Sequence, residues 1–492
     1  MLLTRAWFWL VFQAALLLVL LWRCDRFRLY PIDADWYVGV ATGTDWLSPR
    51  DVLSHYRTCG YPLFLRAVLL ISPTLSGLPL CHLAVRLLAV FAFYAGLRQI
   101  QATSWLALAM ASVLLYSNVV IFAHEDRLLI SEVLTDSLGE SLTILSVAML
   151  LMVVSRPNSP LRWLGLGLSL FLTYQTRPAA QFLVVLLPVL GLPLLRLVSA
   201  PVEWAQRWRR FALISISVCL LPFLAWCALR LAVVGHFGLV SFTGHAMIGI
   251  AGQFLTEDMV SGFPEDVQPF VLAVLKKREA LIQGQEQTLF GVPWRSPLES
   301  DGRLRPDAVQ DEAMFVVTQS QLFEFTASEM FEPDNVVQDR KLLEAALAIL
   351  KARPRYYFMW VAQSTPLTLG RIVTTNLVFF WLLWILVPLL GIWLLLVGVP
   401  SVTRQFRLRD AGHDTGAGFA LELKVIWLLA LGVALGNAAV IILMGQPLLR
   451  YTATSGVLLP AAAVATLAAL SSHIWSRLRA GPRAAANRAE AS

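Results

Sequence analysis

LYPIDADWYVGVATGTDWLSPRDVLSHYRTCGYPLFL, residues 29–65, is a polar stretch set between one apolar segment and the next. Asp33 and Asp35 stand just past the first segment, with Trp36 and Tyr37 behind them. Arg23, Arg26 and Arg28 precede the pair, and His55, Arg57 and Arg66 follow it. Carboxylates at a membrane boundary lose hydration, so they rarely stand there without a task. The stretch reads as the catalytic loop of an all-α, polytopic membrane enzyme.

Composition points the same way. Of 492 residues, 57% are hydrophobic and 14% charged, with mean hydropathy +0.66. Soluble domains carry about 25% charged residues, so this chain is built for lipid. Its 17 tryptophans suit the interfacial belts where amphipathic rings collect. The formal net charge of +7 does not call for nucleic acid, because cytoplasmic loops obeying the positive-inside rule supply a basic excess. The five cysteines make no C-x-x-C pair. Cys24 and Cys59 flank the loop, and either pair in an oxidising compartment or remain free thiols. With no cleavage pattern after it, the first apolar segment is expected to stay as a transmembrane helix.

A bilayer crossing needs about 17–25 apolar residues. Spans are expected near 6–22, 79–97, 104–123, 132–153, 161–175, 179–196, 211–234, 375–398, 424–444 and 455–475. Residues 61–71 are apolar but too few to cross, and read as a juxtamembrane or re-entrant helix. The expected modules are 1–234, a transmembrane unit with its catalytic loop at 23–78; 235–374, an outward and mostly helical region; 375–476, the last transmembrane helices; and 477–492, a basic tail. The middle region is expected to return to the membrane through an amphipathic helix near 341–364, and the Ala/Arg-rich end at 480–492 to be disordered.

Arginines at 207, 209 and 210, at 404, 407 and 409, and after 475 place those loops and both termini in the cytoplasm, so the opening loop faces outward. Its own arginines then sit on the unfavoured side. Either they bind an anionic headgroup or phosphate, or the later loops set orientation and these merely touch lipid. Glu125, Asp126, Arg127 and Glu132, with Asp136 at the mouth of the fourth span, fall on the same face as Arg177, Arg450 and Tyr451.

These elements, in this order, resemble the GT-C superfamily of integral membrane glycosyltransferases, in the branch of protein mannosyltransferases and the lipid A aminoarabinose transferase. Asp33, Tyr37 and Ala41 match a D-x3-Y-x3-A pattern of the first extracytoplasmic loop. GYPLFL at 60–65 is similar to the segment that follows it, and LLISEVLTDSL at 128–138 places Glu132 on the acidic position of a later span entry. Thr176, Arg177 and Pro178, and LLRYTATSGVLLP at 448–460, resemble the arginine-bearing elements further on. The opening loop carries two acids where many relatives show one, and 235–374 matches no motif.

The resemblance implies transfer from a polyprenyl-phosphate sugar, with inversion, at the outer surface of a bacterial inner membrane. The acceptor would be a glycolipid, a polysaccharide or a protein. A carboxylate removes the acceptor proton, and cations stabilise the departing phosphate. Asp33 is the first choice of base and Asp35 the second; helix capping or a salt bridge to Arg26 or Arg28 is the other reading of both. Glu132 orients the acceptor, or is simply a carboxylate favoured at a helix N-terminus. Arg177 and Arg450 hold the phosphate or snorkel to the interface. His55, Arg57, Arg127, Tyr37 and Tyr451 complete the substrate-binding candidates, the two tyrosines reading equally as interfacial rings. No cofactor is expected; a divalent cation held by His55, His124, Glu125 and the aspartates is the minority reading. A lipid-linked saccharide transporter or flippase, and a membrane polysaccharide polymerase or ligase, are the rival functions.

Overall fold

The structure is a computed structural model, and it describes residues 2–23, 34–43, 49–117, 129–397, 417–447 and 449–490. It is helical, with no extended strand among the described residues and an isolated β-bridge between Leu298 and Leu304. In chain order the helices are α1 (Leu2–Arg23), α2 (Ala34–Thr42), α3 (Pro49–Ser54), α4 (Gly60–Ile71), α5 (Leu78–Gln99), α6 (Ser104–Tyr116), α7 (Thr135–Ser155), α8 (Pro160–Thr176), α9 (Leu183–Val198) and α10 (Pro201–Val234). They continue with α11 (Thr243–Ala251), α12 (Gln268–Ile282), α13 (Glu312–Val316), α14 (Phe325–Met330), α15 (Asn335–Ala352) and α16 (Pro354–Thr375). The last are α17 (Leu377–Val397), α18 (Ala417–Met444), α19 (Leu449–Ser455) and α20 (Leu459–Glu490).

Local chemistry sets many of the boundaries. α5, α8, α10, α12 and α16 carry proline in the first turn, where its missing N–H is not needed. α10 stops at Gly235, whose φ of 69° is the left-handed conformation of a glycine terminator. Asn376 separates α16 from α17, its Oδ1 accepting from the Phe379 N–H at 3.0 Å, and the two helices meet at 89°.

The described helices pack into two bodies and a bridge. α1, α5–α10, α17, α18 and α20 share one apolar core, built on Phe93, Leu114, Leu151, Leu187 and Ile426 among others. The segment 243–372 has a core of its own around Phe254, Phe270, Phe323, Leu342 and Trp360. The helices of the opening loop bury Tyr37, Tyr61 and Leu65 against Val133, Leu138 and Leu142, which fastens them over the start of α7. Large apolar side chains face outward from the bundle, among them Phe8 and Phe12, Leu213 and Leu221, and Trp381 and Trp384. Five helical stretches are long and apolar enough to cross a membrane: Leu78–Gln99, Thr135–Ser155, Pro178–Val198, Pro201–Val234 and Leu421–Met444; a sixth follows if the bent α16–α17 pair counts as one. α1, α6 and α20 contribute shorter apolar stretches.

Helices cover most of each of the ten stretches expected to span; residues 118–123 of the third and 398 of the eighth lie outside the described residues, 132–134 precede the helix of the fourth, and Asn376 and residues 456–458 interrupt the eighth and tenth. Some boundaries move. The presumed loop at 197–210 is mostly helix, because α10 begins at Pro201 and carries Arg207, Arg209 and Arg210 in its first turns. The helix expected over 341–364 is two, broken at Arg353, whose backbone Pro354 forces out of the helical region. The end expected to be disordered continues α20 as far as Glu490; its alanines and arginines are strong helix formers.

Candidate functional site

The opening loop builds an aromatic box around a cation. The Arg57 guanidinium lies 5.1 Å from the Tyr37 ring centre, 5.3 Å from Tyr56 and 5.9 Å from Trp36, and its Nη1 donates to the Tyr37 hydroxyl at 2.8 Å. Such faces hold a guanidinium by their quadrupoles, more strongly as water is removed. The His55 ring stacks on Trp36 at 4.1 Å, and its Nδ1 accepts from the Arg57 backbone N–H at 3.0 Å. Burial, with Arg57 beside it, holds the His55 imidazole down to about 3, so the ring is neutral and Nδ1 is an acceptor. Asp35 occupies the first turn of α2 and is exposed, where the helix dipole favours a carboxylate.

Tyr37 meets Tyr61 edge-on at 5.0 Å, and Tyr61 is within electrostatic reach of Glu132 and Asp136. Asp136, not Glu132, sits in the first turn of α7, so the helix-terminus reading belongs to Asp136. Glu132 precedes the helix and is 4% exposed. Arg177, at the end of α8, forms an ion pair with Asp136, Nη2 to Oδ1 at 3.1 Å, with both side chains buried, and its guanidinium lies 6.0 Å from the Tyr451 ring centre. Arg177 therefore does not snorkel; it points into the protein. The approach of α4 to α8 depends on Gly60, where an added Cβ would stand 2.8 Å from the Thr176 nitrogen and closer still to the Gln175 carbonyl.

One turn further along α7, the seam becomes more charged. Glu140 is 1% exposed and stands 3.7 Å from Arg86 Nη1 of α5. Arg86 caps the end of α6, donating through Nε and Nη2 to the Leu114 carbonyl at 3.0 and 2.6 Å and through Nη2 to Ser117 Oγ at 3.0 Å. His82 Nδ1 is 2.9 Å from the Ile130 carbonyl. Around these groups several buried atoms have no hydrogen-bond partner among the described residues: Tyr61 Oη, His82 Nε2, Gln175 Nε2 and Glu140 Oε1, with Arg86 Nη1 and Glu140 Oε2 meeting only as the 3.7 Å ion pair. Buried polar atoms are normally satisfied, and a mixed set of orphaned donors and acceptors in one seam marks a place for water or a hydroxylated ligand.

The segment 235–374 docks beside this site. Arg230, near the end of α10, donates to the Leu53 and Gly238 carbonyls at 2.7 Å each and to Ser241 Oγ at 2.7 Å. Asp339 of α15 accepts from the Gly244 and His245 N–H groups at 2.7 and 3.3 Å; burial raises its carboxyl above the usual range. Burial and Arg230 lower the His236 imidazole. His245 Nδ1 lies 2.7 Å from Glu324, the last residue of a π-helical turn (Val317–Glu324), a rare element found often at functional sites. Phe242 stacks on His245 at 5.7 Å and on Tyr56 at 6.3 Å, completing an aromatic path back to the Arg57 box.

The structure thus gathers Tyr37, Arg57, Glu132, Arg177 and Tyr451, with His55 at the margin. Asp33, Arg127, His124, Glu125 and Cys24 lie outside the described residues, and Arg450 is placed only as a residue of α19, next to Tyr451. Among the described residues no group of three or more His, Cys, Asp or Glu side chains is disposed to hold a metal ion. The sequence marks Asp136 without giving it a role, and Arg86, Glu140 and Tyr61 enter the site only with the structure. Arg86 and Glu140 carried a usable signal, since ionisable residues inside apolar spans are rare and usually functional. No family model matches the chain, nor does any curated protein or solved structure.

Proposed function

We propose that the protein is a membrane glycosyltransferase that moves a sugar from a polyprenyl-phosphate donor to a cell-envelope acceptor. In this reading the chain crosses a bacterial inner membrane about ten times, and the opening loop and 235–374 face outward. The likeness of its motifs to the GT-C superfamily rests on the sequence. The single observation that carries the reading is the buried polar seam beside the Asp136–Arg177 pair, where Tyr61 Oη, Gln175 Nε2 and Glu140 Oε1 have no hydrogen-bond partner and Glu140 Oε2 meets Arg86 only as an ion pair at 3.7 Å. Sugar hydroxyls both donate and accept, so they can satisfy such a mixed set. A cation held ready beside it suits a phosphate leaving group.

The reaction balances simply. The acceptor oxygen forms a bond to the anomeric carbon while its proton passes to the carboxylate of Asp33 or Asp35. The bond from that carbon to the phosphate oxygen breaks, and the lipid phosphate leaves with the electron pair towards Arg177. The test is transfer by purified protein in nanodiscs, using radiolabelled polyprenyl-phosphate sugars with membrane lipid extract. Loss of transfer in Asp33→Asn but not in Asp35→Asn names Asp33 as the base, and the reverse pattern names Asp35. Full activity in both variants removes the proposed mechanism.

A lipid-linked saccharide transporter is favoured by one observation, the Arg86–Glu140 pair buried between apolar helices. Liposomes loaded with labelled donor decide between the two. Flipping without transfer would select the transporter.

A further inference from the structure

Helix α16 is inverted relative to a helix on a water-facing surface. Phe358, Ala362, Pro366, Leu369 and Gly370 form an exposed apolar stripe, while Trp360, Ser364, Thr368, Ile372 and Thr375 are buried. A water-facing helix shows the reverse pattern. With α17 crossing a bilayer, the 89° bend lays α16 along the membrane surface. Its apolar stripe then meets lipid and its polar stripe faces the protein.

That polar stripe is unsatisfied. Trp360 Nε1, Gln363 Oε1, Ser364 Oγ and Thr368 Oγ1 are all buried without a hydrogen-bond partner. Helical serines and threonines ordinarily bond back to a carbonyl of the preceding turn. Their neighbours on the same helix do so: Thr365 donates to the Val361 carbonyl at 2.7 Å, Thr374 to Gly370 at 3.1 Å and Thr375 to Arg371 at 2.5 Å. The Ser364 and Thr368 hydroxyls, one turn apart and 0% exposed, make no such bond. α16 packs along α19, the helix of Tyr451, and Arg371 donates to the Pro447 carbonyl just before that helix. Gln446 adds one more orphan there: its Nε2 donates to the Val309 carbonyl at 3.0 Å, while its buried Oε1 has no partner.

We infer that this seam is a saccharide-binding subsite. It offers an indole N–H, two hydroxyls and two carboxamide oxygens, all buried and all uncommitted. Resting on the transferase reading, the subsite takes the hydroxylated ring of the acceptor and leads it along α19 towards Tyr451 and Arg177. Pro366 lies between the two hydroxyls and denies the Ala362 carbonyl its helical partner, so α16 can flex at that point and open the seam.

Thr368→Val and Ser364→Ala delete the hydroxyls with little change of shape. The unliganded variants in nanodiscs should melt at or above the wild-type temperature, because each loses an unsatisfied group. Soluble di- and trisaccharides of the glucose and N-acetylglucosamine series should raise the wild-type melting temperature by binding the folded state. Thr368→Val should weaken that protection at least tenfold in apparent affinity, and raise the acceptor KM by a similar factor with the donor KM unchanged. If Thr368→Val loses protection but the wild type transfers from no donor, the subsite stands and the transferase reading falls. Absence of protection in the wild type, or equal protection in both proteins, overturns the subsite and leaves the hydroxyls to ordered water. A lowered melting temperature in the unliganded variants also overturns it, by showing a structural role.

Discussion

Removing one member of the Asp136–Arg177 pair should be more damaging than removing both. The ions are 3.1 Å apart, with side-chain exposures of 4% and 10%, so neither is hydrated well enough to stand alone. Arg177→Met keeps the stem against Gly139, where an added Cβ would stand only 3.1 Å away, but strands the Asp136 carboxylate. Breaking a buried pair in this way costs about 3–5 kcal/mol, whereas replacing both ions by neutral groups is often close to neutral. Asp136→Asn, Arg177→Met and the double variant should therefore show a coupling energy of at least about 2 kcal/mol, with the double variant more stable than Arg177→Met. The measurement is equilibrium unfolding in mixed micelles, titrating an ionic detergent into a neutral one. Additive effects, with coupling below about 0.5 kcal/mol, would refute the reasoning and show a pair screened as if at the surface.

Three further expectations are as direct. Because the folded His55 titrates near 3 and an unfolded histidine near 6.5, the unfolded chain binds one more proton between those values. Its contribution is complete above pH 6.5 and declines by about 1.4 kcal/mol per pH unit as the solution is acidified towards 3; His55→Gln should flatten that slope in a stability-against-pH series. Gly60→Ala should destabilise by about 1–3 kcal/mol through the clash with α8, outweighing a gain of at most about 1 kcal/mol in helix propensity, and a melting temperature equal to wild type would show that α4 can shift freely. Asp339→Ala should strand two buried N–H groups and cost about 1–3 kcal/mol each, while Asp339→Asn keeps an acceptor oxygen and should cost less; equal losses in the two would count against the capping role.

The apolar periodicity of the chain was a dependable guide to its helices, because a stretch such as 135–155 is hydrophobic enough to form one helix whatever surrounds it. Boundaries were harder. α10 runs back to Pro201 because proline starts a helix even within a basic segment that reads as a loop. The site was legible in part: Tyr37, Arg57, Glu132, Arg177 and Tyr451, named from the sequence, lie on a chain of contacts drawn from five segments. What the sequence could not show was direction. Arg177 reads as a surface cation until Asp136 is seen to pair with it, and the inverted faces of α16 emerge only when the segment 243–372 covers its polar side.

The 34 residues of α10 extend about 51 Å, longer than any bilayer core of about 30 Å. Near its start, Trp204 and Trp208 stack 6.0 Å apart, with the Arg196 and Arg209 guanidinium groups over them, an arrangement suited to one lipid interface. The 26-residue interval from Trp204 to Arg230 fixes a length of about 39 Å between that anchor and the group that grips Leu53. If α10 crosses a bilayer, it behaves as a gauge rod: a thicker bilayer draws Arg230 down and a thinner one lifts it or tilts the rod. Acyl-chain length becomes a control variable for the docking of the opening loop, and a series of vesicles differing only in hydrophobic thickness should show a maximum rather than a plateau.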